Sequence, residues 1–326
     1  TRGAPGNADD MTAIHWQAVE LKDASTVWRG TASFAAGVSQ VTAPLYPLVN
    51  TTRAVAFGSV QSGAGQNLGS SPYAANSILE NPATTGLIDG IPYGIAVGNH
   101  DQAPNSQART GTDENITTLL YNQTFPKSRF QGRSYFGGQF ALPGKADSMD
   151  NHYELFSGSG MDFIVFHLEW DDGNCSWPAD GSVPTGTLTT CQNVISWMRN
   201  LLVNTYPTRR AIIATHFVGT PGSGGSGTMT LSNQGQAYLN MAKPLPNVFM
   251  MLGGHLDQTN FREDLANDGH KIFTITTDYQ TRPNGGNGWL RIMTFDPVAD
   301  TIHIETYSPT VEGGRFINRP TRHTDD

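Results

Sequence analysis

Apolar residues along this chain come in short, compact runs. Five of them read as buried strands: YGIAV (93–97), DFIVFHL (162–168), RAIIAT (210–215), NVFMML (247–252) and KIFTITT (271–277). Each is rich in aliphatic, β-branched or aromatic residues and is bounded by turn formers. A late pair, WLRIMTF and TIHIETY, predicts an antiparallel hairpin around DPVAD. Between the second and third runs, CQNVISWMRNLLVNTY sets Val194, Trp197, Leu201 and Leu202 at helical spacing. Strands alternating with helix predict an α/β layered sheet. No internal repeat or coiled-coil heptad interrupts this order.

Upstream of about residue 76 the text is different. Between Asp23 and Glu80 there is no Asp, Glu, His or Lys, and Arg29 and Arg53 are the only charges. GSVQSGAGQNLGSS is poor material for helices, and TRAVAF is moderate material for a strand. The sequence thus divides into an atypical, low-charge segment (1–75) and a normally patterned region (76–326).

Composition narrows the choices. With 326 residues the chain can form one large domain or two modest ones. Its 36 Gly and 19 Pro beside 37% hydrophobic residues indicate a globular protein with many turns and long loops. A formal charge of −8 disfavours general nucleic-acid binding, which needs clustered Lys and Arg. No apolar run is long enough to span a bilayer. The polar opening TRGAPGNADD carries no signal-peptide pattern, as expected of a mature or trimmed chain. Cys175 and Cys191 flank a Gly/Pro/Thr-rich loop, so a disulfide is expected, with two free thiols as the alternative; a disulfide points to an oxidising, secreted or periplasmic setting. N-x-S/T triplets start at Asn50, Asn115, Asn122 and Asn174, a pattern common by chance.

Candidate chemistry lies at three strand ends. YGIAV runs into Gly98-Asn99-His100-Asp101, RAIIAT into His216, and NVFMML into Gly253-Gly254-His255-Leu256-Asp257. Any one such His is ordinarily a hydrogen-bonded loop residue, and GNHD alone suits a turn. Three strands each delivering an imidazole where α/β sheets bind ligands is a convergence. Imidazole is the common ligand of Zn, Fe and Mn.

In this order, GNHD, a lone strand-end His and GH-x-D resemble the later motifs of the calcineurin-like metallophosphoesterases. YNQTFPKSRF, NHYELFS, MDFIVFHLEWD and DYQTRPNGGNGWLR are similar to the bacterial secreted branch of that superfamily. The likeness covers roughly residues 76–310, about 70% of the chain. It implies a layered sandwich of two mixed β-sheets flanked by helices. It also implies hydrolysis of a small-molecule phosphate mono- or diester, or a promiscuous triester, by metal-activated water. Asn99, His216 and His255 would bind a divalent Zn, Mn or Fe ion, His100 would protonate the leaving oxygen, and Asp101 would orient His100. One or two ions are implied; paired ions about 3.5–4 Å apart clamp a phosphate and lower the pKa of an attacking water.

The chain also departs from that pattern. The superfamily carries D-x-H and G-D-x-x-D upstream, one of whose Asp residues bridges two metals. Before Glu80 this chain offers only Asp9, Asp10, Glu20, Asp23 and His15, none in such a motif. Asp257 stands where the last His is usual; it is a candidate metal ligand or a plain loop Asp. Two explanations compete for the missing half. Residues 12–75 are either read in a shifted frame, favoured by the loss of acidic residues and the sharp boundary, or truly diverged, leaving a reduced one-metal site. The coding nucleotide sequence decides between them: a shifted frame must restore both Asp motifs. Other readings are a catalytically impaired homologue and a secreted binding or structural protein on the same scaffold.

Other residues carry weaker signals. His167, followed by Glu169, Asp171 and Asp172, is expected to be a capped strand end with solvated acids; the alternative is a pocket wall or substitute ligand set. His152 and Asp278–Trp289 are expected to shape a pocket. Arg282 is a candidate phosphate contact, although a surface ion pair is the commoner fate of an Arg. His270, His303 and His323 are expected at the surface or sheet edges. Tyr135, Phe136 and Phe140 are expected to pack rather than to stack on bases.

Overall fold

The computed structural model describes residues 11–20, 26–33, 54–62, 92–102, 117–141, 145–158, 160–171, 173, 175–220, 222, 229–256, 259–280, 283–286, 288–308 and 315–324. They fall into two units, one drawing on residues 1–93 and 279–324 and the other on 94–278. Asp172, Asp257, Arg282 and most of 1–75 lie outside the described residues.

The first unit begins with β1 (Met11–Glu20), β2 (Thr26–Ser33) and β3 (Ala54–Ser62), an antiparallel ladder in the order β2–β1–β3.

The second unit starts with an extended stretch, residues 94–98, and a single 3-10 turn, Asn99–Asp101. Short helices α1 (Leu119–Thr124) and α2 (Lys127–Phe130) follow. The large sheet is then laid down from β4 (Phe136–Gln139), β5 (His152–Gly158) and β6 (Met161–Leu168). Helix α3 (Thr190–Asn200) runs on into a π-type turn, Leu201–Thr205, before β7 (Arg210–Thr215). A small ladder pairs β8 (Gly219–Thr220) with β9 (Thr230–Leu231) ahead of α4 (Asn233–Ala242). β10 (Val248–Gly253), β11 (Thr259–Leu265) and β12 (Lys271–Thr277) complete a seven-stranded sheet of order β11–β12–β10–β7–β6–β5–β4. β6, β7, β10 and β12 are mutually parallel, and β4, β5 and β11 pair antiparallel. This is a mixed α/β fold, the class that alternating strand and helix runs predict.

Packing follows the strand period of two. On β6, Ile164, Phe166 and Leu168 are fully buried in one cluster with Ile195 and Met198 of α3 and Leu239 and Met241 of α4. Burial of each such side chain contributes about 1.5–3 kcal/mol. α3 starts at a capping box: Thr189 Oγ1 accepts from the Gln192 N–H (3.2 Å), and Gln192 Oε1 accepts from the Thr189 N–H (3.0 Å). The Cys175–Cys191 disulfide, with Cα atoms 5.2 Å apart, ties the first turn of α3 to the preceding loop. Tyr135 is buried, Phe136 packs on Phe130, and Phe140 packs on Trp197.

One run departs from expectation. Residues 93–97 join no ladder. Gly94 lies over the side chains of β5 and β6, where an added Cβ would overlap His167 and Glu154. Side chains replace ladder partners there: Tyr121 Oη donates to the Ile95 carbonyl (2.7 Å), and His152 Nε2 faces the Ile95 N–H (3.5 Å). Asn122 is similarly engaged, its Nδ2 donating to Thr118 O and Asp150 Oδ1 and its Oδ1 accepting from the Met149 N–H.

The first unit resumes with α5 (Pro283–Gly286), then the antiparallel strands β13 (Leu290–Asp296), β14 (Thr301–Ser308) and β15 (Arg315–Thr324). Asp296 Oδ1 accepts the Val298 and Ala299 N–H groups (both 3.0 Å), forming the predicted hairpin turn. His303 pairs with Glu305 on this ladder, and in the second unit His270 bonds the Val248 carbonyl. The side chain of His323 lies outside the described residues. Among the described residues no helix is long and apolar enough to cross a membrane.

Candidate functional site

Parallel strands put their carboxyl ends on one edge of a sheet. Here that edge receives Glu169, Trp170 and Asp171 after β6, His216 after β7, His255 after β10 and Asp278 after β12. His216 Nε2 and His255 Nδ1 are 2.8 Å apart, with ring centroids at 4.7 Å. Which nitrogen donates in this contact depends on the tautomer of each ring, and a neutral ring can also offer its bare nitrogen to a ligand. His255 adopts a left-handed backbone conformation, φ 74°, which is uncommon outside glycine. The adjoining Gly254 N–H donates to the His216 carbonyl at 2.8 Å.

Aromatic rings wall the pair. Trp170 stands 5.4 Å from His216 and 4.9 Å from His255, and Phe217 stands 5.0 Å from His255. Burial in these surroundings disfavours the imidazolium. The pKa of His216 is pushed down to about 3, first by burial and then by His255 and His100. That of His255 is lowered by burial against the opposing pull of Asp278. Both rings are therefore neutral near pH 7, the form in which imidazole ligates a metal.

The GNHD turn reaches the same place. A Cβ on Gly98 would sit 3.3 Å from His216 Nδ1, so glycine permits a close approach here. Asp101 Oδ2 accepts the Gly98 N–H at 2.9 Å and fixes the turn. Burial raises the Asp101 pKa, partly offset by that hydrogen bond and by His100. His100 is exposed, and its charge is felt by His216, His255 and Asp101. Asn99 occupies the first position of the turn, half-buried. Among the described residues no group of three or more His, Cys, Asp or Glu side chains is arranged to hold a metal ion. The geometry thus gathers His216, His255 and the Gly98–Asp101 turn.

Several expectations change. Glu169 and Asp171 are buried rather than solvated; Glu169 Oε1 accepts from Asn151 Nδ2 (2.9 Å), and the Asp171 N–H donates to Gln234 Oε1 (3.2 Å). His152 is wholly buried, not a pocket wall. Its Nδ1 donates to the Met149 carbonyl (2.7 Å), and its ring stacks on His167 across the β5–β6 pairing, centroids 5.2 Å apart. Glu154 lies between them, Oε1 3.5 Å from His152 Nε2 and Oε2 3.1 Å from His167 Nε2. Burial moves all three toward neutrality: Glu154 up to about 8, His167 down to about 4, and His152 also down. The missed signal was a run of ionisable residues inside two adjacent apolar strands, HYELF and FIVFHL. Gln102 and Trp170 had no comparable sequence signal.

The fold and this edge define a mixed α/β protein with an imidazole pair at its strand ends. No protein-family model matches the chain. The uncharacterized protein YvnB of Bacillus subtilis (strain 168) is 28% identical over 238 residues, 71% of this chain. The chain spans 15% of that relative's length. A dimetal phosphatase from Danio rerio aligns with 57% of this chain and 63% of its own, at 13% identity and a TM-score of 0.29.

Proposed function

We propose that the chain hydrolyses a small-molecule phosphate ester with a bound divalent transition metal. One observation carries this reading: two neutral imidazole nitrogens 2.8 Å apart, from separate parallel strands, lie against a Gly-Asn-His-Asp turn. Ligand atoms about 2.0–2.1 Å from an ion stand only slightly further apart than this, and imidazole suits Zn, Mn or Fe. The donor type therefore fits. Asn99, His216 and His255 would hold the ion, with Asp257, two residues further along the sequence, as a candidate further ligand. When bound, such an ion supplies positive charge at the phosphoryl group and acidifies an attacking water.

The chain's own residues supply the rest. Exposed His100 donates a proton to the leaving oxygen. Asp101 holds the turn that carries His100 through the Gly98 N–H. Trp170 and Phe217 shield the histidine pair from water. The net charge of −8 argues against nucleic acid as substrate, and the disulfide favours an extracytoplasmic setting.

The test combines elemental analysis with turnover of bis-p-nitrophenyl phosphate in added Mn or Zn. At least one ion per chain is expected, together with hydrolysis lost in His100→Ala and His216→Ala. A metal-free wild-type protein without turnover overturns the proposal. A second reading is an impaired homologue that binds metal without turnover. The absence of D-x-H and G-D-x-x-D before Glu80 favours it.

A further inference from the structure

Gln102 directly follows the GNHD turn and is completely buried. Burying a carboxamide is costly unless its polar atoms are paired. Its Nε2 donates to the Trp170 carbonyl at 2.9 Å, across 68 residues of sequence. Its Oε1 is buried with no hydrogen-bond partner among the described residues. An apolar side chain of equal size would avoid that unpaired acceptor. Burial alone therefore does not account for an amide here, and its remaining contribution is the bond to Trp170.

That bond joins two parts of the candidate site. Trp170 carries the indole that contacts both His216 and His255. The Gln102 backbone N–H donates to the Asn99 carbonyl at 3.1 Å and closes the turn. The turn is thus attached at both ends: Gly98 lies against His216, and Gln102 is tied to the residue that walls the histidine pair. His100 and Asp101 stand between these attachments. One attachment would leave the turn free to pivot; two fix the direction in which His100 leaves it.

We infer that Gln102 is a positioning residue that sets His100 over the His216–His255 pair through the Trp170 carbonyl. The kinetic consequence rests on the phosphoesterase reading; the structural consequence does not. Loss of the bond frees the turn without removing any group that touches substrate, so kcat suffers more than KM.

The experiment compares wild type, Gln102→Met and Gln102→Glu. Methionine keeps the length and loses the donor. Glutamate donates to a carbonyl only when protonated. Backbone amide exchange at residues 98–102 is measured alongside melting temperature and steady-state kinetics with Mn. In Gln102→Met, exchange is expected to accelerate about tenfold or more, with kcat falling about tenfold and KM within about twofold. The activity of Gln102→Glu relative to Gln102→Met is expected to rise as pH falls from about 8 to about 5 and the carboxyl gains its proton. Unchanged exchange in both variants overturns the inference. If the Mn-loaded wild type turns over no phosphate ester, the phosphoesterase reading falls and exchange alone decides the role of Gln102.

Discussion

His216 Nε2 and His255 Nδ1 lie 2.8 Å apart although the two residues are 39 positions apart in sequence. Two features produce this contact. β7 and β10 are neighbouring parallel strands, so their carboxyl ends coincide. The left-handed backbone at His255 then turns the chain sharply after Gly254.

Removing either ring should therefore act on ligand binding more than on folding. His216→Ala and His255→Ala are expected to weaken Mn or Zn binding by about 100-fold or more, beyond the 10–100-fold typical of losing an outer-shell partner. Isothermal titration calorimetry gives the comparison. A change of less than about threefold in both variants would remove this pair from the metal site.

Stability should depend on pH through Glu154. Its folded pKa, about 8, exceeds its ordinary 4.5, so its contribution is full below pH 4.5 and is lost as pH rises through 8. His167 acts in the opposite sense: its folded value, about 4, lies below 6.5, so its contribution is full above pH 6.5 and is lost toward pH 4. Below about pH 6.5 His167, with His152 acting in the same sense, opposes the Glu154 slope. From about 6.5 to 8 the Glu154 loss stands alone, roughly 2 kcal/mol at 1.36 kcal/mol per unit. Urea unfolding of wild type and Glu154→Gln across this range is expected to show the decline only in wild type.

Gly94→Ala places a methyl group against both His167 and Glu154. Overpacking of this kind costs about 1–3 kcal/mol. The segment displaced leads directly into the GNHD turn, so activity should fall along with melting temperature. A stable, fully active Gly94→Ala protein would contradict the placement of Gly94 over β5 and β6.

The Cys175–Cys191 bridge closes a loop of sequence separation 16. Loop entropy assigns such a bridge about 3 kcal/mol. Cys175→Ser/Cys191→Ser should lose about that much in denaturant unfolding, and dithiothreitol should lower the wild-type melting temperature to match. Because neither cysteine is among the proposed metal ligands, metal content should not change.

Sequence periodicity revealed the elements whose pattern is local. Four of the five compact runs are strands of the large sheet, the late hairpin is formed, and Val194 and Leu202 face the core. His216 and His255 were visible because strand ends are readable and parallel strands align them. YGIAV misled because an extended apolar run has the same pattern whether its partners are backbone or side chains. Glu154 and Gln102 were invisible for another reason. Their burial depends on what crosses above them, Gly94 for one and the Trp170 carbonyl for the other, and no local spacing encodes that.

Asn122 begins an N-x-T triplet, yet its Nδ2, the atom a sugar would occupy, is committed to Thr118 and Asp150. A glycan attached there during synthesis would detach α1 from the loop before β5. Production in a eukaryotic secretory host would then yield two populations, a bare folded form and a decorated form lacking this fastening. Changing Thr124 to Val removes the acceptor signal while leaving Asn122 and all its bonds in place.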